Sequence, residues 1–193
     1  NYTGLQYTDT SAVVSNLSLT APTNASATAG THTIVAAGGS AANYNVATVN
    51  GTLTVNKASL TVTANDQTKT YGATDPTLTA NYTGLQYTDT SAVVSNLSLT
   101  APTNASATAG THTIVAAGGT AANYNVATVN GTLTVNKASL TVTANDQTKT
   151  YGATDPTLTA NYTGLQYTDT SAVVSNLSLT APTNASASAD RKS

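Results

Sequence analysis

An internal repeat constrains this chain more than any other feature of its sequence. Residues 1–80 recur as residues 81–160 with a single difference, Ser40 against Thr120, and the same sequence starts again at residue 161 and continues to residue 187. This period is longer than the roughly 20–50 residues of a solenoid repeat, whose copies share one continuous core. The repeat therefore predicts whole small domains in tandem.

The copies owe their polar surface to hydroxyl and amide groups rather than to charges. Charged residues make up 7% of the chain, against roughly 25% in typical soluble proteins. Thr, Ser and Asn take their place, and this composition suits strands with one solvated face better than helices. Because the chain has no Phe, Trp, Met or Cys, its large core side chains are Tyr, Leu, Ile and Val. We therefore expect each copy to have a small core.

The same composition argues against two classes of function. The net charge is −2, and Lys57, Lys69, Lys137 and Lys149 are widely spaced, whereas a nucleic-acid binder needs clustered positive charge. No run of about 18 apolar residues is present, so we expect no membrane insertion in this segment. The repeat begins abruptly at Asn1 without an initiating Met, and we expect the natural chain to be longer.

Alternation of apolar and polar residues with a period of two predicts about six or seven short strands per copy, and hence an all-β fold. We expect strands at residues 31–36, 60–64 and 77–82, and another around Leu17 and Leu19. The pair Gly38-Gly39 is expected to bound the first of these strands.

The clearest turn signal is Asn50-Gly51, which lies between the alternating residues 44–49 and 52–55. An Asn-Gly pair favours the two positive φ angles of a type I′ turn, so this stretch predicts a β-hairpin.

Residues 9–14 admit two interpretations, a single helical turn capped by Asp9 or Thr10, or a short strand. We favour the helical turn, because a short polar side chain can accept hydrogen bonds from the first free amides of a helix. The expected fold is thus all-β with one short helical turn per copy.

A change in side-chain direction marks the predicted domain boundary. The apolar residues Leu53 and Val55 have odd numbers, whereas Leu60 and Val62 have even numbers. A continuous strand would keep one parity, since successive side chains point to opposite faces. Residues 56–59 contain no Gly or Pro to reverse the chain. We therefore expect the chain to run onward from one domain into the next, giving an elongated, semi-rigid array.

This boundary divides the chain into three segments. Residues 1–57 (the first segment) are the C-terminal part of one domain, residues 58–137 (the middle segment) form a complete domain, and residues 138–193 (the last segment) are the N-terminal part of a third. A rival frame cuts at the Ala/Ser/Thr-rich residues 21–30, which read equally well as a loop within a domain.

Several motifs together resemble a known family. They are LTVTA at residues 60–64, Tyr71-Gly72, Asp75-Pro76, and NGTLTVNKA at residues 50–58, and they resemble the MBG domain of the YGX type. The resemblance implies small domains, each as long as one repeat, that are β-sandwich or Ig-like or β-grasp-like and occur in tandem in large bacterial surface and secreted proteins such as haemagglutinin-like adhesins. It brings no catalytic residues. Apart from the family, Gly72 suits a tight turn, and Asp75-Pro76 suits the start of one.

The residues predict no catalytic site and therefore no enzyme. Each full copy has one histidine, His32 or His112, which alternates onto the same face as an Ile such as Ile34. We expect a half-buried strand histidine, because no nucleophile-elbow motif accompanies it.

A metal site is not expected either. One His per copy without Cys cannot supply the ligands of zinc. Calcium needs six to eight oxygen ligands, and Asp66, Asp75 and Asn65 near a domain junction are the only candidates; the favoured interpretation is solvated loop carboxylates. Lys57 and Lys69 are expected to be exposed, with a Lys-Asn crosslink as the alternative.

Two surface features remain as weaker candidates. Glycosylation sequons at Asn1, Asn16, Asn24 and Asn50 are no more frequent than the composition makes expected by chance. Thr-x-Thr pairs can form flat glycan- or ice-binding faces when they coincide on one surface, and we expect them here on different strands as ordinary solvated residues. The pairs are Thr31/Thr33, Thr52/Thr54, Thr61/Thr63, Thr68/Thr70 and Thr77/Thr79.

The sequence predicts a structural role: a stalk, spacer or fibre in a large bacterial cell-surface or secreted adhesin, with an extracellular location and a connection to biofilms. The alternative is a module that binds a glycan or matrix polymer through many weak sites. Neighbouring repeats of the same chain are the expected partners. Because the first and last segments lack strands, their open edges are also expected to allow head-to-tail pairing with other copies.

Overall fold

The computed structural model describes residues 1–182, which are built almost entirely from β-strands. Helix occurs in this part of the chain only as 3-10 turns of three residues. The prediction of an all-β fold with little helix is confirmed. The divergent residues 188–193 lie outside the described residues.

The strands of the first half of the chain are β1 Ser15–Thr20, β2 Gly30–Ser40, β3 Gly51–Val55, β4 Ala58–Ala64, β5 Gln67–Thr70 and β6 Ala80–Thr83. The following strands are β7 Ser95–Thr100, β8 Gly110–Thr120, β9 Tyr124–Val129, β10 Gly131–Asn136, β11 Thr141–Ala144 and β12 Ala160–Thr163. The 3-10 turns are Ser11–Val13, Asn24–Ser26, Ser91–Val93, Asn104–Ser106 and Ser171–Val173.

The strands form four sheets, with the orders β1-β2-β3, β6-β4-β9, β5-β10-β8-β7 and β11-β12. Strand β2 is antiparallel to both of its neighbours, and β4 is antiparallel to β6. Two pairs are parallel, β4 with β9 and β5 with β10. Parallel neighbours require long crossover connections, so each of these pairs joins an early part of the middle segment to a late part.

The chain divides into two compact units. One contains residues 1–65, 79–99 and 115–131, and the other contains residues 66–78, 100–114 and the described residues from Thr132 onward. The core of the former is the cluster of Leu60, Val62 and Tyr124. In the latter, the buried side chains include Ala107, Ile114, Leu133 and Val135. The predicted boundaries at residues 57/58 and 137/138 stay a prediction.

The inferred change of buried face near Lys57 is confirmed. Strand β3 pairs with β2, whereas β4 pairs with β6 and β9. The exposed residues Asn56 and Lys57 carry the chain from one sheet into another. The parity of the apolar residues switches because the two runs serve different sheets.

The helical turn at residues 9–14 is also confirmed. Ser11–Val13 form a 3-10 turn, and the Thr10 side chain accepts a hydrogen bond from the Ala12 amide at 3.4 Å. Thr10 is therefore the cap, and Asp9 has another role described below.

The predicted hairpin at Asn50-Gly51 is wrong. In the middle segment the equivalent pair, Asn130-Gly131, joins β9 to β10, and these strands lie in different sheets. Neither residue has a positive φ angle. The Asn130 side chain accepts a hydrogen bond from the Ala116 amide at 3.0 Å, and a Cβ on Gly131 would lie 2.6 Å from the Ala64 carbonyl oxygen. The pair marks a crossing between sheets, where Gly is needed for close backbone approach.

Other strand limits differ from expectation in smaller ways. Gly38 and Gly39 lie inside β2 with φ angles of +73° and +93°, instead of ending the strand. The strand expected at residues 77–82 begins only at Ala80. Residues 21–29 connect β1 to β2, which pair in one sheet, and this connection contains the 3-10 turn Asn24–Ser26.

Candidate functional site: a parallel strand pair and its two incomplete copies

The parallel pair of β4 and β9 is the structural centre of the middle segment. Six residue pairs are in register, from Ala58 opposite Tyr124 to Thr63 opposite Val129. The Ala58 amide donates to the Asn123 carbonyl oxygen at 2.9 Å, which continues the ladder beyond the strand. The inward side chain of Leu60 is 1% exposed. Pairing of distant strands thus buries the apolar face of β4.

The ring of Tyr124 packs in this core with Leu60 and Val62, and its hydroxyl group forms hydrogen bonds at the edge of the core. Its hydroxyl group donates to the Asp89 carboxylate at 2.5 Å and accepts from the Gln86 amide at 2.9 Å. The hydrogen bond to Asp89 and the burial of the ring raise the pKa of Tyr124, while the Gln86 amide partly opposes them. We call the Asp carboxylate and the Gln amide the tyrosine socket. Both its members are supplied by the turn just before the 3-10 helix, which holds them close together.

The first segment contains the same socket. The Tyr44 hydroxyl group donates to Asp9 at 2.5 Å and accepts from the Gln6 amide at 3.0 Å. The hydrogen bond to Asp9 is the main reason that the pKa of Tyr44 is raised. Sequence reasoning missed this role of Asp9; its signal was the constant separation of 35 residues between Asp and Tyr in both copies.

What the first segment lacks is a strand beside residues 44–49. These residues are identical to β9, yet in the described chain they form no strand. Val49 is 87% exposed, against 46% for the equivalent Val129. A cavity of about 460 Å³ lies beside them. Its lining includes Tyr2, Leu5, Val14, Leu17 and Val46, whose counterparts in the middle segment pack around the core of Leu60, Val62 and Tyr124.

The last segment is incomplete in the opposite way. Strand β11 pairs with β12 in the register that β4 has with β6, but within residues 1–182 no strand pairs with its other edge. Leu140, the equivalent of Leu60, is therefore 36% exposed. It lines a cavity of about 400 Å³ together with Leu165 and Val173.

The socket of the last segment is occupied by a different tyrosine. Tyr71, from the Tyr-Gly motif, lies edge-on against Tyr167 with ring centroids 5.3 Å apart. Its pKa is raised, first by burial and then by the charge and hydrogen bond of Asp169. Gly72 has a φ angle of +90°, as expected, and a Cβ there would lie 2.1 Å from the Gln166 side chain. Glycine lets the motif approach this socket closely.

Lys69 contradicts the expectation of an exposed lysine. Its side chain is 2% exposed, and its ammonium group lies 2.6 Å from Asp75. Asp75 also accepts hydrogen bonds from the Asn104 amide at 3.1 and 3.2 Å. Lys69, and then this amide, lower the pKa of Asp75. Lys57, in contrast, is exposed and donates to the Ala121 carbonyl oxygen at 3.1 Å.

The alternatives raised for these polar residues find no geometric support. Asn104 meets Asp75 through its backbone amide rather than its side chain, so the pair does not present the carboxamide needed for a Lys-Asn crosslink. Asp66 accepts from the Thr132 amide at 2.7 Å, and the Asn65 side chain donates to Thr79 at 2.9 Å. The described residues contain no group of three or more His, Cys, Asp or Glu side chains placed to hold a metal ion.

The histidines lie where the sequence predicted. His32 is half-buried on the same face of β2 as Ile34, and its Nε2 atom lies 2.6 Å from the Thr28 carbonyl oxygen. His112 repeats this arrangement with Thr108. Each histidine stabilises the loop before its own strand.

The threonine pairs are closer together than predicted. Thr31 lies opposite Thr54 and Thr33 opposite Thr52 on the neighbouring strands β2 and β3. All four are exposed, so they form one patch, which we call the threonine patch. Of the sequon residues, Asn16 and Asn24 adopt left-handed backbone conformations, with φ angles of +57° and +51°, and Asn50 accepts from the Ala36 amide.

Among residues 1–182, no helix has the length and apolar character needed to cross a membrane. A search of curated proteins and a search of solved structures each returned no match. The family model of the MBG domain (YGX type) matches residues 1–54, 60–134 and 140–189. These consecutive matches cover most of the chain, as expected for tandem copies. The chain therefore belongs to the family of MBG domains of the YGX type.

Proposed function

We propose that this tandem array is a stalk or spacer of a large bacterial cell-surface or secreted adhesin, in which it projects or assembles adhesive units. The observation that carries the proposal is the repetition of the tyrosine socket, with the same hydrogen bonds, in near-identical copies. The length of a stalk increases with the number of copies, whereas catalysis of a reaction does not require near-identical copies of one domain. An extracellular location and a structural, non-enzymatic role belong to the same proposal.

The strand pairing supports a load-bearing role. Strand β4 lies at the start of the middle segment and β9 near its end, and they are parallel neighbours. The pair of β5 and β10 has the same relation. A pull on the two ends of such a segment acts along the strands, so that it loads all hydrogen bonds between them together. Parallel pairing of early and late strands therefore resists stretching better than a hairpin that opens one bond at a time.

Stretching single molecules tests this proposal. A tandem array of complete copies should give a sawtooth of equal unfolding events. Each event should release about 26–29 nm of extended chain, less the folded length, because a repeat of about 80 residues spans roughly 3.3–3.6 Å per residue. Unfolding at forces no higher than those of simple hairpins would argue against a stalk. Small-angle scattering adds a second test, since a compact globule of this length would have a radius of gyration of about 16 Å and a stalk should exceed it.

The threonine patch favours a second candidate function, binding of a glycan or matrix polymer. Four exposed hydroxyl groups at Thr31, Thr33, Thr52 and Thr54 face solvent in two rows. Weak binding at each copy would gain strength with the number of copies. Retention on immobilised carbohydrates that grows with repeat number, and is lost when the four threonines are replaced by Val, which keeps the side-chain shape but removes the hydroxyl group, would support this function over a passive spacer.

A further inference from the structure

One hydrogen bond joins residues that are too far apart in sequence to belong to the same copy. The Ala29 amide donates to the Asn123 side-chain oxygen at 3.0 Å, and the two residues are 94 positions apart. Residues 1–80 recur as residues 81–160, so a pair separated by 94 positions belongs to two copies wherever the domain boundary is drawn. The family matches likewise place Ala29 in the first copy and Asn123 in the second.

Two further hydrogen bonds bring residues 121–123 to the joint between these copies. The Lys57 ammonium group donates to the Ala121 carbonyl oxygen at 3.1 Å. The Ala58 amide donates to the Asn123 carbonyl oxygen at 2.9 Å. Asn123 therefore accepts from the middle segment through its backbone and from the first segment through its side chain. The backbone contact holds the side chain in place for Ala29.

The donor is held in place as well. The Nε2 atom of His32 lies 2.6 Å from the Thr28 carbonyl oxygen, which anchors the residue before Ala29. On the other side, Gly30 has a φ angle of +136°, a conformation that residues with a side chain rarely adopt. Ala29 and Asn123 are both half-buried, so water competes less for their hydrogen bond. The first segment thus presents the Ala29 amide through contacts of its own.

We propose that residues 121–123 form a contact surface for the preceding copy of the array, with Asn123 as its specific contact. We call this surface the clasp. A clasp joins neighbouring copies through a defined interface rather than through a flexible linker, as in repeat proteins whose stability includes nearest-neighbour terms. It would serve a stalk and a binding array equally, so the clasp goes beyond the proposed function and does not depend on it.

Hydrogen exchange of the Ala29 amide, measured by NMR in the full chain, tests the clasp. Exchange at a hydrogen-bonded amide follows the fraction of time for which the bond is open. Asn123→Ala removes the acceptor and should speed exchange at Ala29 several-fold, as expected for the loss of one hydrogen bond. Asn123→Asp keeps a side-chain oxygen as the acceptor and should leave Ala29 as protected as in the unmodified chain.

Ala109 provides a matched control. Its neighbours in the sequence are identical to those of Ala29, so the two amides have the same intrinsic exchange rate. Within residues 1–182, however, the Asn123 side chain accepts from the Ala29 amide and not from the Ala109 amide. Exchange at Ala109 should therefore respond to neither variant. The amides of β4 and β9 report whether the middle segment stays folded.

Unchanged exchange at Ala29 in Asn123→Ala would overturn the proposal. Equal acceleration at Ala29 and Ala109 would also overturn it, because a general loosening of the chain would then explain the effect. If Asn123→Ala exposes the amides of β4 and β9 as well, Asn123→Asp decides the matter. Retained protection of Ala29 in that variant supports the clasp, and loss of protection overturns it.

Discussion

Gly131 and Gly51 occupy the same position in identical sequences, and their substitution by Ala should have opposite effects. In the middle segment a Cβ on Gly131 would lie 2.6 Å from the carbonyl oxygen of Ala64, and 3.2 Å from that of Asn65. In the first segment a Cβ on Gly51 would meet nothing closer than the Ile34 side chain, at 3.5 Å. Neither glycine has a positive φ angle, so backbone strain does not enter the comparison.

The expected sizes follow from these distances. Ala64 ends the buried strand β4, so its backbone cannot yield without moving the Leu60 and Val62 core. Gly131→Ala should therefore cost about 1–3 kcal/mol, as overpacking usually does. Gly51→Ala should be neutral or should stabilise by about 0.4–1 kcal/mol, because Ala restricts the unfolded chain.

Thermal unfolding followed by circular dichroism measures the difference. A change of 1 kcal/mol shifts the midpoint of a domain of this size by roughly 4–8 °C. We expect the midpoint to fall by at least about 4 °C for Gly131→Ala and to hold or rise for Gly51→Ala. Equal midpoints for the two variants would refute the close contact with β4 and, with it, the sheet crossing at this glycine.

Three further predictions concern the core, the tyrosine socket and the buried ion pair. Leu60→Ala should destabilise the middle segment by about 2–5 kcal/mol. Leu140→Ala changes the equivalent residue of the last segment, which is exposed, and should leave the main unfolding midpoint unchanged. Equal shifts of the midpoint for the two variants would contradict the inference that strand pairing buries Leu60. Tyr124→Phe should lower the thermal midpoint, whereas Tyr87→Phe, at an exposed ring, should not. The folded pKa of Tyr124 is raised above its usual 10.0. The contribution of the Tyr124 hydroxyl group to the free energy of unfolding is therefore present below pH 10, and it declines as the pH rises through the folded pKa. The folded pKa of Asp75 is lowered from 3.8. The contribution of the Asp75 carboxylate to the free energy of unfolding is therefore complete above pH 3.8 and is lost as the pH falls through the folded pKa. In acid, the urea midpoint should fall less steeply for Asp75→Asn than for the unmodified chain.

The sequence was sufficient to predict those features that depend on local chemistry. Thr10 caps a helical turn because its side chain is short and polar, and alternation placed Leu60 and Val62 on one buried face. The parity switch between Val55 and Leu60 correctly indicated a passage between sheets. Each of these inferences needed only residues within a few positions of one another.

The features that escaped prediction depend on distant residues. Asn130-Gly131 reads as a hairpin turn, but β9 pairs instead with β4, from the start of the middle segment. The role of Asp89 becomes visible only when Tyr124 arrives 35 residues later. Lys69 was expected to be exposed because lysine usually is, yet Asp75 and the Asn104 amide give its ammonium group a partner network in the interior. Tertiary context overrides local preference at all three places.

Competition between pairing within a chain and pairing between chains sets the limit on assembly. Bringing Ala58 to Tyr124 closes the whole loop between them, and the length-dependent part of that cost is about 4 kcal/mol. Pairing between two molecules instead loses translational and rotational freedom, which costs about 4–15 kcal/mol. Pairing within the chain is therefore favoured wherever both strands are present.

This competition gives a prediction for the parallel pair of β4 and β9. Ser59 lies opposite Asn125 of its own chain, and both residues are exposed. Because the chain has no Cys, a chain with Ser59→Cys and Asn125→Cys should close an internal disulfide under mild oxidation. The pair Ser59→Cys with Ala127→Cys is off register by two residues, or about 6.4–6.8 Å along the strand, and should not close. Crosslinks between molecules in place of the internal disulfide would mean that β4 leaves β9 readily, and the parallel pair would then be too weak to bear load in a stalk.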